Sequence, residues 1–157
     1  MDYRRFGNQI VLRVDRDEEV MTEITALCEQ EHIRLASISG LGAADHLVMG
    51  LYDVEAQKFT ETVLDQPLEI TSIIGSVTEM DGKPYLHVHI TVADVDGHAF
   101  GGHLKSVRIG GTAEIFLTVI DGQVGRKKDE ITGTGLNLFD FSSKNDHIMT
   151  AEGQQEV

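Results

Sequence analysis

Only one stretch of this chain has the periodicity of a helix, and that limits the folds open to it. In DRDEEVMTEITALCEQEHI (residues 15–33), Val20, Met21, Ile24, Leu27 and Cys28 fall on one stripe at helical spacing. Asp15 with Glu18 three residues later resembles a capping box. Acidic residues also crowd the first turn, where the helix dipole favours them. The spacing predicts a helix over 17–31 with its apolar stripe against a sheet. Cys28 lies on that stripe and reads as buried packing rather than as a nucleophile.

Strand patterns occupy the rest. Ile10, Leu12 and Val14 alternate in QIVLRV before the helix. From residue 34 onward come RLASIS, HLVMGLYD, KFTETVL, PLEITSIIGSV, PYLHVHITVAD and GTAEIFLTVI, separated by glycines and turn pairs. Asp81-Gly82 is a strong hairpin signal, and Asp121-Gly122 closes the last long run. DVDGHAFGGH reads as a turn with a glycine-rich return. One helix against many strands predicts an α+β fold, mainly an antiparallel β-sheet with one principal helix packed on it. The 157 residues suffice for one domain with a real core. That domain is expected over 1–141, with a polar C-terminal tail over 142–157.

The segment LHVHITVADVDGHAFGGH, residues 86–103, holds four of the seven histidines. Along a strand, side chains alternate faces, so Leu86, Val88, Ile90 and Val92 share the core face. Tyr85, His87, His89 and Thr91 share the other. The two imidazoles therefore project the same way, their backbones about 7 Å apart. Such a pair plus one distant histidine suits a three-histidine zinc site with a fourth position for water or substrate. His103 follows Gly101-Gly102, whose missing β-carbons allow close backbone approach. The same spacing also arises on a solvent-facing strand, and spacing alone leaves both readings open. His98 reads as an exposed turn residue, and His32 ends the helix against its dipole. His46 and His147 sit in no pattern.

Thirteen basic and twenty-six acidic residues give a net charge of −13. Such a surface repels phosphate backbones unless its cations are segregated. The one basic cluster, Arg126-Lys127-Lys128, runs directly into Asp129-Glu130. No apolar run approaches the roughly 20 residues of a membrane span, and the N-terminus lacks a signal-peptide apolar region. A single cysteine fits a reducing compartment, so a cytoplasmic location is expected. Glu69, Glu114 and Arg108 are carboxylate and guanidinium candidates for acid–base work or substrate binding, more simply read as surface residues. Ser37 and Ser39 precede GLGA without a nucleophile elbow, and the catalytic residues are unknown.

Taken together, SGLGA, PLEITSIIGSV, HVHITVAD, GGHL, GTAEIFLTVI and the closing TGTGLNLFDF resemble the plants-and-prokaryotes conserved (PPC) domain over residues 3–141. The resemblance implies an antiparallel sheet flanked by a helix and assembled as a homotrimer. It implies a metal, zinc, on three histidines in some members, carried here by His87, His89 and His103. The fold is similar to that of acetolactate decarboxylase, a zinc enzyme acting on a small hydroxy-acid. The resemblance also brings a DNA-binding, transcription-associated alternative through plant members, whose hooks bind the minor groove. No such basic hook occurs in this chain, and QPLEI replaces the plant Gly-Arg-Phe-Glu segment. The expectation is a homotrimer with zinc on three histidines, a small-molecule ligand at the metal, no membrane partner and weak or absent DNA binding. Beside it stand the DNA-associated regulator, a metal-dependent lyase for a small hydroxy- or keto-acid, and a pure interaction module.

Overall fold

The computed structural model describes residues 1–142. The expected tail, with His147, lies beyond them but for residue 142. The described residues form one helix and eight strands: β1 (Asp2–Phe6), β2 (Gln9–Val14), α1 (Val20–Gln30), β3 (Ala36–Asp53), β4 (Lys58–Met80), β5 (Lys83–Ala93), β6 (Ala99–Val119), β7 (Gly125–Lys128) and β8 (Asn137–Asp140). The pairings are antiparallel except for one parallel bridge between Glu79 and Gly125. This is a mostly antiparallel β architecture carrying a single helix, so strongly strand-dominated that mainly-β describes it as well as α+β.

The four long strands form a closed cycle. β3 pairs with β4 and β6, while β5 bridges β4 and the N-terminal end of β6. β2, then β1, extend the sheet from the C-terminal half of β6. The inner face and the helix stripe make one core, including Ile24, Leu27, Ile73, Val88, Ile90, Leu104, Ile115 and Leu117. Glycine permits close backbone approach in this cycle. A β-carbon on Gly102 would stand 2.8 Å from the Gly50 carbonyl oxygen, and one on Gly75 2.5 Å from the His87 carbonyl oxygen. Both positions hold neighbouring backbone against the strands that carry the histidines.

The helix begins later than the sequence pattern predicts, because Glu19 is its N-cap, accepting from the Met21 and Thr22 amides. The Asp15 amide does donate to the Glu18 carboxylate at 2.8 Å, but this closes the preceding turn, where Asp17 has φ of 69°. At the other end His32 takes the left-handed conformation, φ 54°. Its amide reaches Glu29 O and the Ile33 amide reaches Cys28 O, the paired bonds of a Schellman motif. His32 thus ends the helix through its backbone.

Several apparent glycine breaks are strand interior. RLASIS, GLGAAD and HLVMGLYD form one strand from Ala36, with register shifts at Gly40/Gly42 and Ala44/His46 taking up the irregularity. KFTETVL and PLEITSIIGSV likewise merge through Asp65-Gln66-Pro67. The glycine-rich return AFGGH is the start of β6. At Asp81-Gly82 both residues have positive φ, 53° and 74°, the two-residue hairpin turn expected from the sequence. Strands β1, β7 and β8 went unforeseen; the last two are joined by a loop wrapped around buried Asp129. Its carboxylate accepts from the Ile131, Thr132 and Thr134 amides at 3.0–3.1 Å and from two threonine hydroxyls, holding its carboxyl far below the usual range.

Candidate metal centre

The alternation of β5 puts Val88, Ile90 and Val92 in the core, with Leu86 packed at its margin, and leaves His87 and His89 exposed on the opposite face. In the antiparallel ladder His89 lies directly across from His103 of β6, so the third ring shares their face. The structure therefore brings His87, His89 and His103 together. Ring centroids lie 5.2 Å apart for His87–His89 and His87–His103, and 5.5 Å for His89–His103. The Nε2 atoms of His87 and His89 are 3.3 Å apart, and one nitrogen from each of the three rings lies within 4.8 Å of the others. Tetrahedral ligands at the usual Zn–N length of about 2.0–2.1 Å stand roughly 3.3–3.4 Å from one another. The donor set fits a zinc-sized ion with modest ring adjustment.

The electrostatics favour the form that binds metal. Although its side chain reaches solvent, partial desolvation of the ring, followed by the charges of His103, Arg126 and His89, holds His87 below the ordinary imidazole value. Burial, then His89, does the same for His103. Neutral imidazole is the ligating species, so these shifts keep two donors free of protons at neutral pH. Phe59 of β4 stands edge-on to His103 at 5.8 Å and limits how far that ring can swing. Phe59 and Tyr85 belong to the surroundings of the site but carry no motif; only the long-range pairing reveals Phe59.

The other candidates lie elsewhere. His98 is exposed in the β5–β6 turn, its Nδ1 3.1 Å from Asp94. His46 sits opposite Asp65 on neighbouring strands and contacts its carboxylate. Arg108 is held by Asp45 at 2.7 Å. Glu69 is exposed opposite Ala93 at the end of β5, and Glu114 is exposed on the far half of β6 opposite Arg13. None of the three joins the histidines. Ser37 and Ser39 are interior residues of β3. Burial pushes the Cys28 thiol up to about 12, so it stays protonated and packs as part of the core.

A long-stranded antiparallel cycle, one helix and three converging imidazoles define a small β-rich protein with a candidate metal centre. The chain belongs to the Plants and Prokaryotes Conserved (PCC) domain family, whose profile it matches over residues 1–121. It is 33% identical to a metal-containing protein of Archaeoglobus fulgidus, with a TM-score of 0.79 over 88% of this chain and 98% of that one. A protein of Bacteroides thetaiotaomicron, provisionally described as DNA-binding, is 27% identical with a TM-score of 0.86 over 89% and 96%. A Staphylococcus aureus protein similar to alpha-acetolactate decarboxylase shares the fold at 15% identity and a TM-score of 0.53, over 71% of this chain and 52% of that one. The chain is also 30% identical to the bifunctional protein GlmU of Synechococcus sp. (strain JA-2-3B'a(2-13)) over 125 residues, 78% of this chain and 18% of that protein. It therefore spans about a fifth of that relative's length.

Proposed function

We propose that this protein binds one zinc ion per chain through His87, His89 and His103, and works as a cytoplasmic homotrimer that takes a small ligand at the metal. The observation that carries the reading is the convergence of three imidazole nitrogens on an anchored strand face, two of them 3.3 Å apart. The metal-containing relative from Archaeoglobus fulgidus supports it. When bound, zinc would supply Lewis acidity toward an oxygen of the ligand. The chain's own part is to hold three neutral imidazoles in place through the β5–β6 ladder and to leave one side open. The reaction stays unassigned, because Glu69, Glu114 and Arg108 are placed away from the histidines; a lyase acting on a hydroxy- or keto-acid needs an acid–base group beside the ligand.

The DNA-associated alternative has the Bacteroides relative on its side, and charge against it. Of the one basic cluster, Arg126 is stacked between aromatic rings and Lys127 pairs with Asp140 at 3.2 Å. Arg5 and Arg13 are also paired, with Glu31 and Asp15. No segregated cationic face emerges among these residues to offset the charge of −13.

Elemental analysis of protein purified without an affinity tag or chelator tests the metal reading. One zinc per chain is expected, and metal-free protein would overturn it. Sedimentation on the same sample should give a trimer, where a monomer at micromolar concentration contradicts the assembly. Anisotropy titration at physiological salt should show no submicromolar, sequence-selective DNA binding.

A further inference from the structure

The cations of this acidic chain are commonly neutralised by its own carboxylates. Arg5, Arg13, Arg34, Arg108, Lys105 and Lys127 each meet one. Arg126 differs. It is half-buried, and among the described residues it pairs with no carboxylate. Its Nε donates to Thr78 Oγ1 at 3.0 Å and its Nη1 to the Asn137 carbonyl at 2.8 Å. The guanidinium lies 4.8 Å from the Tyr85 ring centroid and 4.4 Å from that of Phe139. Nη2 is closed off from solvent and has no hydrogen-bond partner.

A positive group that is part-buried, rigidly held and short of one acceptor is costly unless an anion completes it. Its position says where that anion would sit. Tyr85, on which the guanidinium stacks, shares the histidine face of β5 and precedes His87 by two residues, about 7 Å along the strand. Thr78, which fixes Nε, is the ladder partner of Tyr85. The guanidinium therefore stands on the histidine face at the His87 end, and its charge acts on the His87 ring. Phe139, about half exposed at 47%, lies against the guanidinium's face and leaves its plane, where a carboxylate binds, to other atoms.

We propose that Arg126 binds a carboxylate of a small organic diacid whose other carboxylate reaches the three-histidine site; this rests on the metal reading above. Arginine suits the task because its planar fork can donate to both oxygens of a carboxylate. The diacid bridges a cation and a metal that the chain itself leaves without an anion.

The test is calorimetric titration of malonate and succinate into zinc-loaded and metal-free wild type, Arg126→Gln and Arg126→Lys, with zinc content measured in each. Zinc content should be unchanged in both variants. At least one diacid should bind zinc-loaded wild type, with affinity falling about tenfold or more in Arg126→Gln and less in Arg126→Lys, which keeps charge but loses the fork. Equal affinities in wild type and both variants, or no binding of either diacid to zinc-loaded wild type, would overturn the proposal. Should Arg126→Gln fail to fold, Arg126→Lys alone decides, since an unchanged affinity there contradicts two-point binding. Wild type that takes up no zinc would sink the metal reading and the proposal with it, whereas zinc-loaded wild type that binds neither diacid would sink the proposal alone. Metal-free wild type should bind the diacids more weakly than zinc-loaded wild type, and equal affinity with and without zinc would contradict the bridge.

Discussion

Two groups of potential ligands lie within a few residues of each other, and they are built in opposite ways. His87, His89 and His103 stand on paired strands, and their nitrogens face one another. Asp94, Asp96 and His98 also bring three ligand atoms close, but in the β5–β6 turn. There the group is occupied with itself. Asp94 accepts from the amides of Asp96 and His98, at 3.0 and 2.8 Å, and from the His98 ring. Burial alone would raise the Asp94 carboxyl, yet these bonds outweigh it and hold the group below its ordinary value. Proximity of donor atoms is thus shared by both clusters. What separates them is whether the lone pairs are already committed and whether the backbone holds the geometry without a ligand.

The largest expected effect lies in the ligands themselves. Replacing His89 by alanine should lower zinc affinity by about a hundredfold or more, since even losing a group that merely orients a ligand costs about 10–100-fold. The fold should survive, because the buried face of β5 is untouched; circular dichroism and competitive zinc titration check both halves. Next is the anchoring face. Ile90→Ala, emptying a fully packed core position, should cost about 2–5 kcal/mol in denaturant unfolding while the protein that remains folded keeps its zinc. Gly102→Ala should cost about 1–3 kcal/mol and also weaken zinc, because its methyl would press on the Gly50 carbonyl and move His103.

The pH response is smaller. His87 and His103 are held below the ordinary imidazole value of about 6.5, so the folded protein takes up fewer protons there than the unfolded chain. The sign follows from linkage. Their contribution to stability is intact above pH ~6.5 and is lost as pH falls through the depressed folded values. Zinc affinity should follow the same direction, level near neutrality and falling on acidification, read by titration at several pH values. The smallest effect belongs to the turn: His98→Ala should leave zinc affinity unchanged and stability within about 0.5 kcal/mol.

These contrasts also explain what was legible in the sequence. The alternation in LHVHITV made the two faces of β5 readable, because period two is a local property of extended backbone. The turn reading of His98 came from Asp96-Gly97, again local. His103 was legible only as a histidine behind two glycines. That it faces His89 depends on β6 pairing with β5 through five residues, a long-range register that spacing cannot give. The glycines misled elsewhere. At 40 and 42 they permit close packing inside one continuous strand, so a break was read where neighbouring backbone comes close to β3, whereas Gly50 and Gly75 were rightly read inside strands. Arg126 looked like part of an exposed basic run, and nothing local says that Tyr85 and Phe139 enclose it.

The most direct measurement is X-ray absorption at the zinc edge on protein purified without a tag. The account predicts a first shell of three imidazole nitrogens near 2.0–2.1 Å with one light oxygen-type ligand, and loss of that signal in His89→Ala. A carboxylate-rich shell that persists in His89→Ala and vanishes in Asp94→Ala would place the metal at the turn and contradict the three-histidine centre.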